Sequence, residues 1–210
     1  MGDIVLGSPG VTVLSESGGT VNLKNTNLST GVEVTNLPSG HRPAEVWLST
    51  TTVNSREFYI TIPSGYARYK VAGHNLTTSY NNNSLFTYPQ ISNADDTDME
   101  SVTAYNRIES AGGGEDFADG YVKVCVNMGN DATDNLTFEQ IWDSLSITRT
   151  KGYGGYGFSQ YGHSSDQQSY LYNTGFRSQS TGIVNRLRYY WGSGDGSFTG
   201  TVVLTGYLGF

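Results

Sequence analysis

The segment REFYITI, residues 56–62, alternates apolar side chains with other side chains at a period of two. Phe58, Ile60 and Ile62 occupy the alternate positions. Because successive side chains of a β-strand point to opposite sides, these three apolar groups share one face of a strand. A Pro-Ser-Gly turn signal follows at residues 63–65. The segment therefore predicts a strand that is buried on one face and ends at a turn.

Further apolar runs follow along the chain, and turn residues separate them. They lie at residues 66–72, 99–108, 121–128, 136–148, 182–191 and 198–208. The composition agrees, because 27 Gly and 15 Tyr residues suit tight turns and pleated surfaces. Seven or more strands without interleaved helical segments predict an all-β fold, an antiparallel sandwich or barrel.

One segment has an ambiguous period. Phe138, Ile141, Trp142 and Leu145 are spaced at i, i+3, i+4 and i+7, as on one face of a helix. The alternative is a strand centred on residues 145–148. One or two helical turns, a strand, or the two in succession all fit this part of the chain.

The low content of charged residues and the negative net charge argue against a nucleic acid partner. Only 15% of the residues are charged and the formal net charge is −7, so binding to nucleic acid phosphates is not expected. The apolar stretches are shorter than the roughly 20 residues of a membrane-spanning helix. Residues 1–4, Met-Gly-Asp-Ile, lack the basic start and apolar core of a secretory signal. We expect synthesis in the cytoplasm, no nucleic acid partner and no membrane insertion.

The first forty residues contain very short apolar runs between strong turn signals. Two apolar residues per run bury too little surface for such strands to be stable alone. We therefore predict that residues 1–40 are an attachment arm buried against another subunit, and that residues 41–210 form the sandwich. A loose tail and a first hairpin of the main sheet are the alternatives. The arm residues expected to make the contact are Ile4, Leu6, Val11, Val13, Val21, Leu23, Val32 and Val34.

The glycine-rich segment GYGGYG, residues 152–157, matches the G-x-G-x-x-G pattern of dinucleotide-binding loops. That motif works by holding a pyrophosphate at the N-terminus of a helix. Residues 158–165 have no helical periodicity and contain a further glycine. We therefore predict no nucleotide site here.

Catalytic motifs are missing from the sequence. Neither G-x-S-x-G nor H-E-x-x-H occurs, and His41, His74 and His163 are scattered over separate predicted loops. We predict a protein that is not an enzyme and has no catalytic residue.

Cys125 is the only cysteine, which excludes an intrachain disulfide. In a regular strand, Val122, Val124 and Val126 lie on one face, and Cys125 lies on the other with Lys123. One neighbouring lysine is weak support for a reactive thiolate. We predict a packed, inert thiol.

Two acidic segments, residues 95–100 and 131–134, contain the oxygen ligands that calcium prefers. Neither has the spacing of an EF-hand loop. We predict that both are solvated loop charges, and we expect neither a metal nor another cofactor. A calcium site is the alternative.

Residues 152–176 combine many aromatic side chains with Gly, Ser, Gln and Asn. This mixture is typical of adaptable recognition surfaces, and it predicts a surface loop because it is too polar for a core strand. Sugar rings can stack on the aromatic rings while polar groups bond the hydroxyls; burial in a subunit interface is the alternative. The candidate residues are Tyr153, Tyr156, Tyr161, His163, Asp166 and Gln167.

The C-terminal segment resembles the closing hairpin of tailed-phage structural proteins. It consists of IVNRLRYYW (residues 183–191), a Gly/Ser turn, and TGTVVLTGY (residues 199–207). YARYKV, residues 66–71, is similar to an early strand of the same jelly-roll-like domains. The arm, residues 1–40, resembles the repetitive lead-in segments of phage fibres.

This resemblance implies a jelly-roll-like, lectin-like β-sandwich located in a virion. It implies other capsid or tail proteins as partners, a homotrimer or other homo-oligomer, and a host glycan as a second ligand. The chain has no extended shaft or coiled coil, so a small head fibre, a capsid decoration protein or a tail-tip adhesin fits better than a long tail fibre. The alternatives are a stand-alone carbohydrate-binding module and, third, a small polysaccharide depolymerase.

Overall fold

The computed structural model describes residues 45–107, 113–131, 134–146, 152–162, 169–192 and 196–207, together with three short N-terminal strands. The chain divides into two compact units, residues 1–38 and residues 39–210. Within the described residues every regular element is a β-strand and every pairing is antiparallel. The predicted all-β class is confirmed.

The N-terminal unit contains a small antiparallel sheet. Its strands are β1 (Ile4–Val5), β2 (Val13–Ser17) and β3 (Thr20–Lys24), paired in that order. Leu14 is the register partner of both Ile4 and Leu23. Four predicted arm residues lie in these strands, namely Ile4, Val13, Val21 and Leu23. The other four, Leu6, Val11, Val32 and Val34, lie outside the described residues.

The described residues of the second unit form thirteen strands in two sheets. The strands are β4 (Val46–Ser55), β5 (Glu57–Thr61), β6 (Arg68–Thr78), β7 (Asn83–Ile91), β8 (Ala94–Asp95), β9 (Met99–Arg107), β10 (Gly113–Asp119), β11 (Val122–Met128), β12 (Leu136–Asp143), β13 (Gly154–Gly162), β14 (Ser169–Ser178), β15 (Val184–Trp191) and β16 (Phe198–Tyr207).

The larger sheet has eight strands in the order β10-β9-β14-β13-β12-β6-β16-β4. The smaller sheet has the order β11-β7-β15-β5, and β8 pairs with β7. The chain passes repeatedly from one sheet to the other, as in the succession β4, β5, β6, β7. Consecutive strands in this succession lie in different sheets, whereas β9–β10 and β12–β13–β14 are consecutive strands that pair within the larger sheet.

Large aromatic side chains fill the core. Trp142, Trp191, Tyr69 and Tyr189 are fully buried, and the ring of Tyr189 stacks on Phe58 at a centroid distance of 4.8 Å. Burial of one large apolar side chain contributes about 1.5–3 kcal/mol. These rings therefore account for a large share of the apolar stabilisation.

The strand predicted at residues 56–62 is confirmed. Phe58, Ile60 and Ile62 are all buried, whereas Tyr59 and Thr61 between them are exposed. The alternation of apolar residues in the sequence thus corresponds to the burial of one face of β5.

The helical alternative for residues 136–145 is wrong. This segment forms β12, which pairs with β6 on one side and β13 on the other. Leu136, Phe138, Gln140 and Trp142 are buried at every second position, and Ile141 is buried as well. Because both faces of β12 are buried near Trp142, apolar residues there are spaced as on one face of a helix. The backbone hydrogen bonds of this segment are made to the two neighbouring strands.

Residues 152–176 also differ from the prediction, because they supply two inner strands of the larger sheet. Tyr161, Tyr170, Tyr172 and Phe176 are buried on the inner side of β13 and β14. At alternate positions Gln160, Asn173 and Arg177 are exposed on the outer side. The segment is polar overall because only one side of each strand faces the core.

The G-x-G-x-x-G segment continues as strand β13 and not as a helix. Its glycines allow neighbouring groups to pack closely. A Cβ at Gly155 would overlap the carbonyl oxygen of Ile141 and the ring of Phe176. With no side chain there, the rings of Trp142 and Phe176 approach to a centroid distance of 4.2 Å.

Cys125 lies at an irregularity in β11. The register with β7 shifts between Lys123 and Cys125, as in a β-bulge, and both Val124 and Cys125 are buried. The predicted strict alternation of faces is therefore wrong at this point. The packed thiol is confirmed, because Cys125 is fully buried; this burial raises the pKa of the thiol.

Candidate binding surface

Strands β9, β10, β13 and β14 extend the larger sheet beyond β12, and their inner side covers the edge of β11. Ser159 Oγ donates to the carbonyl of Val124 at 2.5 Å, and Thr174 Oγ1 donates to the carbonyl of Lys123 at 3.3 Å. Side-chain hydroxyls thus form hydrogen bonds with backbone carbonyls of β11 at the edge of the smaller sheet, where no further strand is paired among the described residues.

Two further hydroxyls complete this cover. Ser101 Oγ donates to the carbonyl of Tyr121 at 2.9 Å. The Tyr161 hydroxyl donates to the carbonyl of Val126 at 2.8 Å and accepts from the Val126 N–H at 3.2 Å. Strands β9, β13 and β14 are therefore held against β11 by their inner side chains, which leaves their outer side towards solvent.

That outer side carries exposed apolar and aromatic groups. Phe117, Val102, Gly175 and Tyr156 are consecutive register partners across β10, β9, β14 and β13. Phe117 is 69% exposed and Tyr156 is 54% exposed; Val102 and the nearby Phe158 are exposed as well. We call Phe117, Val102, Tyr156 and Phe158 the aromatic face.

An open depression of about 640 Å³ lies on this face. Phe117 and Val102 line it together with Gly155, Gly175 and Phe176. A Cβ at Gly175 would meet no atom within 4 Å. Gly175 therefore leaves a gap between Val102 and Tyr156, and the sheet backbone is accessible there.

One end of the depression is acidic. Glu100, Asp119 and Arg177 line it, and Arg177 forms an ion pair with Glu100 at 2.8 Å. A second, polar depression of about 410 Å³ shares Glu100 and Asp119 and adds Asp98. Three carboxylates against one guanidinium leave this end of the face negative.

The acidic segment of residues 95–100 is only partly solvated, contrary to the prediction. Asp96 is buried and accepts hydrogen bonds from Ser178 and Ser180. Asp95 pairs with Arg188 at 2.8 Å. Among the residues that the structure describes, no group of three His, Cys, Asp or Glu side chains is arranged to hold a metal ion.

The six predicted candidates do not come together on this surface. Tyr156 lies on the aromatic face, but Tyr153 and Tyr161 are buried with their hydroxyls bonded to Asp96 and Val126. Those two rings belong to the core and are not accessible to a ligand. The remaining candidates, His163, Asp166 and Gln167, lie outside the described residues.

Sequence reasoning missed Phe117, Val102 and Phe158. Phe158 follows Tyr156 by two residues, so a strand assignment for residues 154–162 would have put both on one face. Phe117 stands alone in the polar run GGEDFAD, residues 113–119, which carries no such signal. Its position beside Val102 depends on strand pairing.

Comparisons of this chain with protein-family models, with curated proteins and with solved structures find no match. In the part of the chain that the structure describes, no helix has the length and apolar character needed to cross a membrane. The geometry of the aromatic face is therefore the main support for a function.

Proposed function

We propose that this protein is a structural subunit of a tailed-phage virion that binds a host surface glycan through its aromatic face and catalyses no reaction. The observation that carries the binding role is the exposure of Phe117, Tyr156 and Phe158 on one side of a sheet whose other side is anchored to β11. Large exposed apolar groups that cluster on a rigid surface favour a recognition site.

The dimensions of this surface suit an oligosaccharide. Phe117 and Tyr156 are three strand spacings apart, or about 14 Å. The C–H side of a sugar ring can stack on a flat aromatic ring, and the open backbone at Gly175 admits a ring between them. The carboxylates of Glu100 and Asp119 can accept hydrogen bonds from sugar hydroxyls at one end.

The strand order supports a jelly roll for the sandwich, as the resemblance to phage proteins implies. The sets β4-β16-β6-β12 and β5-β15-β7-β11 have the order of an eight-stranded jelly roll. In this scheme β8, β9 and β10 are inserted between β7 and β11, and β13 and β14 between β12 and β15. The aromatic face is then built entirely from inserted strands.

The N-terminal unit supports an assembly role. Its three strands have two, five and five residues, which is marginal for a sheet in isolation. Contact with other virion subunits, or with further copies in a homotrimer or other homo-oligomer, would supply the missing burial. Leu14→Lys with Leu23→Lys in the full chain should then reduce the mass measured by light scattering. An unchanged mass would contradict an assembly role for this unit.

A glycan array of the full-length chain tests the binding role. We expect Tyr156→Ala and Phe117→Ala to weaken binding to the best glycan at least tenfold, since each removes a stacking ring. Tyr80→Ala is the matched control, because Tyr80 is 48% exposed and lies outside the aromatic face. The proposal fails if the wild type binds no glycan, or if all three variants bind equally well.

An assay for reducing ends and the mass measured by light scattering separate the alternatives. A depolymerase would release new reducing ends from a bound polysaccharide over time, whereas a binding protein would leave the polysaccharide intact. A stand-alone carbohydrate-binding module would bind glycan equally well but remain monomeric, with no effect of the lysine substitutions at Leu14 and Leu23.

A further inference from the structure

The sheet edges of the second unit are protected to different degrees. Strand edges expose unpaired N–H and C=O groups that can pair with another chain. The edge of β11 is covered by the hydroxyls of Ser101, Ser159, Tyr161 and Thr174. This edge has few backbone groups left for another chain.

Two other edges carry features that oppose pairing. Strand β10 has three carboxylates in seven residues, Glu115, Asp116 and Asp119. Strand β5 is only five residues long, begins at Glu57 and is followed closely by Pro63. Charges, short length and a nearby proline all discourage the addition of a strand.

The edge at β4 lacks all of these features. Strand β4 has ten residues with the sequence VWLSTTTVNS, which contains no charged residue and no proline. Its neighbour β16 also has ten residues and no charge. Among the described residues no strand pairs with the outer side of β4.

Strands β4 and β16 contain no charged residue, in contrast to β10 at the other end of the larger sheet. The protein has 12 Lys and Arg and 19 Asp and Glu residues, with a net charge of −7. Two copies repel each other where their acidic surfaces approach, but the edge at β4 and β16 is neutral. Interface cores are depleted of charged residues in the same way. The charge distribution thus favours a second copy as the occupant of this edge.

We propose that two copies of this protein pair through β4, antiparallel and about a two-fold axis, so that the larger sheet continues from one copy into the other. A two-fold contact is self-complementary and needs only one suitable edge. With the axis at Thr51, Thr50 of one copy lies opposite Thr52 of the other. Both threonines are exposed, and threonine pairs across strands are favourable.

This pairing is independent of the proposed glycan binding, because β4 and β10 are the two ends of the larger sheet. They are seven strand spacings apart, or about 34 Å along the sheet. A β4 pair would carry its two aromatic faces at opposite ends of one continuous sheet. Such an assembly would engage two surface glycans at once and gain avidity.

Light scattering of the full-length chain over a range of concentrations tests the pairing. We expect Thr50→Lys with Thr52→Lys to halve the mass of the wild type, because the lysines of the two copies would lie opposite each other. The matched control is Thr77→Lys with Thr97→Lys, two exposed threonines away from β4, which should keep the wild-type mass. Circular dichroism checks that all variants are folded.

A cysteine at Thr51 gives a second, independent readout. Residues opposite each other in an antiparallel pair have Cα atoms about 4.5–5.5 Å apart, within the range of a disulfide. Thr51→Cys should form a reducible covalent dimer on mild oxidation, whereas Thr77→Cys should not; Cys125 is buried and does not interfere. A wild type that is monomeric throughout, or a mass unaffected by the lysines at Thr50 and Thr52, would overturn the proposal.

Discussion

The Tyr153 hydroxyl donates a hydrogen bond of 2.5 Å to the Asp96 carboxylate, 57 residues away in the chain. Ser178 and Ser180 donate to the same carboxylate at 2.6 and 2.5 Å, and the N–H of Asp98 donates at 3.0 Å. These bonds tie together the segment before β9, the segment before β13 and the C-terminal end of β14. Asp96 is thus a buried anchor at one end of the inserted strands.

This anchor makes stability dependent on pH. Burial alone would raise the pKa of Asp96, but the hydrogen bonds from Ser178, Ser180, Tyr153 and the Asp98 N–H outweigh burial and lower it. The pKa in the unfolded chain is about 3.9. The carboxylate therefore stabilises the fold above that pH, and this contribution is lost as the pH falls through the folded pKa.

We expect Asp96→Asn to lower the free energy of unfolding by about 2 kcal/mol at pH 7, because an amide nitrogen would face hydroxyl donors. The difference in free energy of unfolding between wild type and variant should become smaller below pH 4, because the Asp96 carboxylate of the wild type becomes protonated there. Denaturant unfolding between pH 2 and pH 7 measures both effects. Asp131→Asn, at an exposed carboxylate, is the control and should change stability little. An equal loss at all pH values would contradict an ionised Asp96.

Substitution by alanine should have very different effects on stability at two glycines in neighbouring strands. At Gly155 a Cβ would overlap a backbone oxygen, which cannot move aside, so Gly155→Ala should destabilise the fold by about 2–3 kcal/mol. At Gly175 a Cβ meets nothing, so Gly175→Ala should change stability by less than about 0.5 kcal/mol. Thermal unfolding of the two variants makes the comparison, and equal losses would contradict the packing described for Gly155.

The Tyr161 hydroxyl should contribute more to the free energy of unfolding than the hydroxyl of an exposed tyrosine does. Burial raises the pKa of Tyr161, so the hydroxyl stays protonated and makes both bonds to Val126. Tyr161→Phe leaves these backbone groups unpaired and should lower the free energy of unfolding by about 1–2 kcal/mol. Tyr156→Phe, at an exposed ring, should stay within about 0.5 kcal/mol. Amide hydrogen exchange at Val126 should also accelerate in Tyr161→Phe only.

Cys125 should not react while the protein is folded. Burial raises the pKa of the Cys125 thiol, so the thiolate is scarce at pH 8, and the side chain is out of reach of a reagent. Ellman's reagent should therefore label the native protein only at the rate of unfolding and label the denatured protein at once. Fast labelling of native protein at pH 8 would contradict the burial of Cys125.

The acidic end of the aromatic face should select against acidic sugars. Glu100, Asp119 and Asp98 outnumber Arg177 there, so a uronic or sialic acid would be repelled. Neutral and amino sugars should bind better than acidic sugars of the same length, and added salt should reduce the difference. Asp119→Asn should weaken the preference, and neutral sugars should still bind because the amide oxygen of Asn can accept the same hydrogen bond from a hydroxyl. Tighter binding of acidic sugars would show that another surface is used.

Part of the fold could be predicted from local pattern alone. The alternation of Phe58, Ile60 and Ile62 identified β5 because one face of that strand is buried and the other is not. Periodicity was ambiguous for β12, where both faces are covered near Trp142. Composition was misleading for residues 152–176, where buried tyrosines resemble surface tyrosines in sequence. Composition does not show which side of a strand a tyrosine faces.

The sequence by itself determined the all-β class, because that class follows from residue type and spacing within a few positions. The tertiary structure decided that Cys125 and its neighbour Val124 are both buried, because β11 departs from regular alternation there. Tertiary structure alone decided that Tyr156 is exposed while Tyr161 is buried, and that Phe117 shares a register row with Val102. It also decided that Asp96 meets Tyr153. These relations depend on the register between strands far apart in the chain, and a shift of one residue reverses the face of every side chain in a strand.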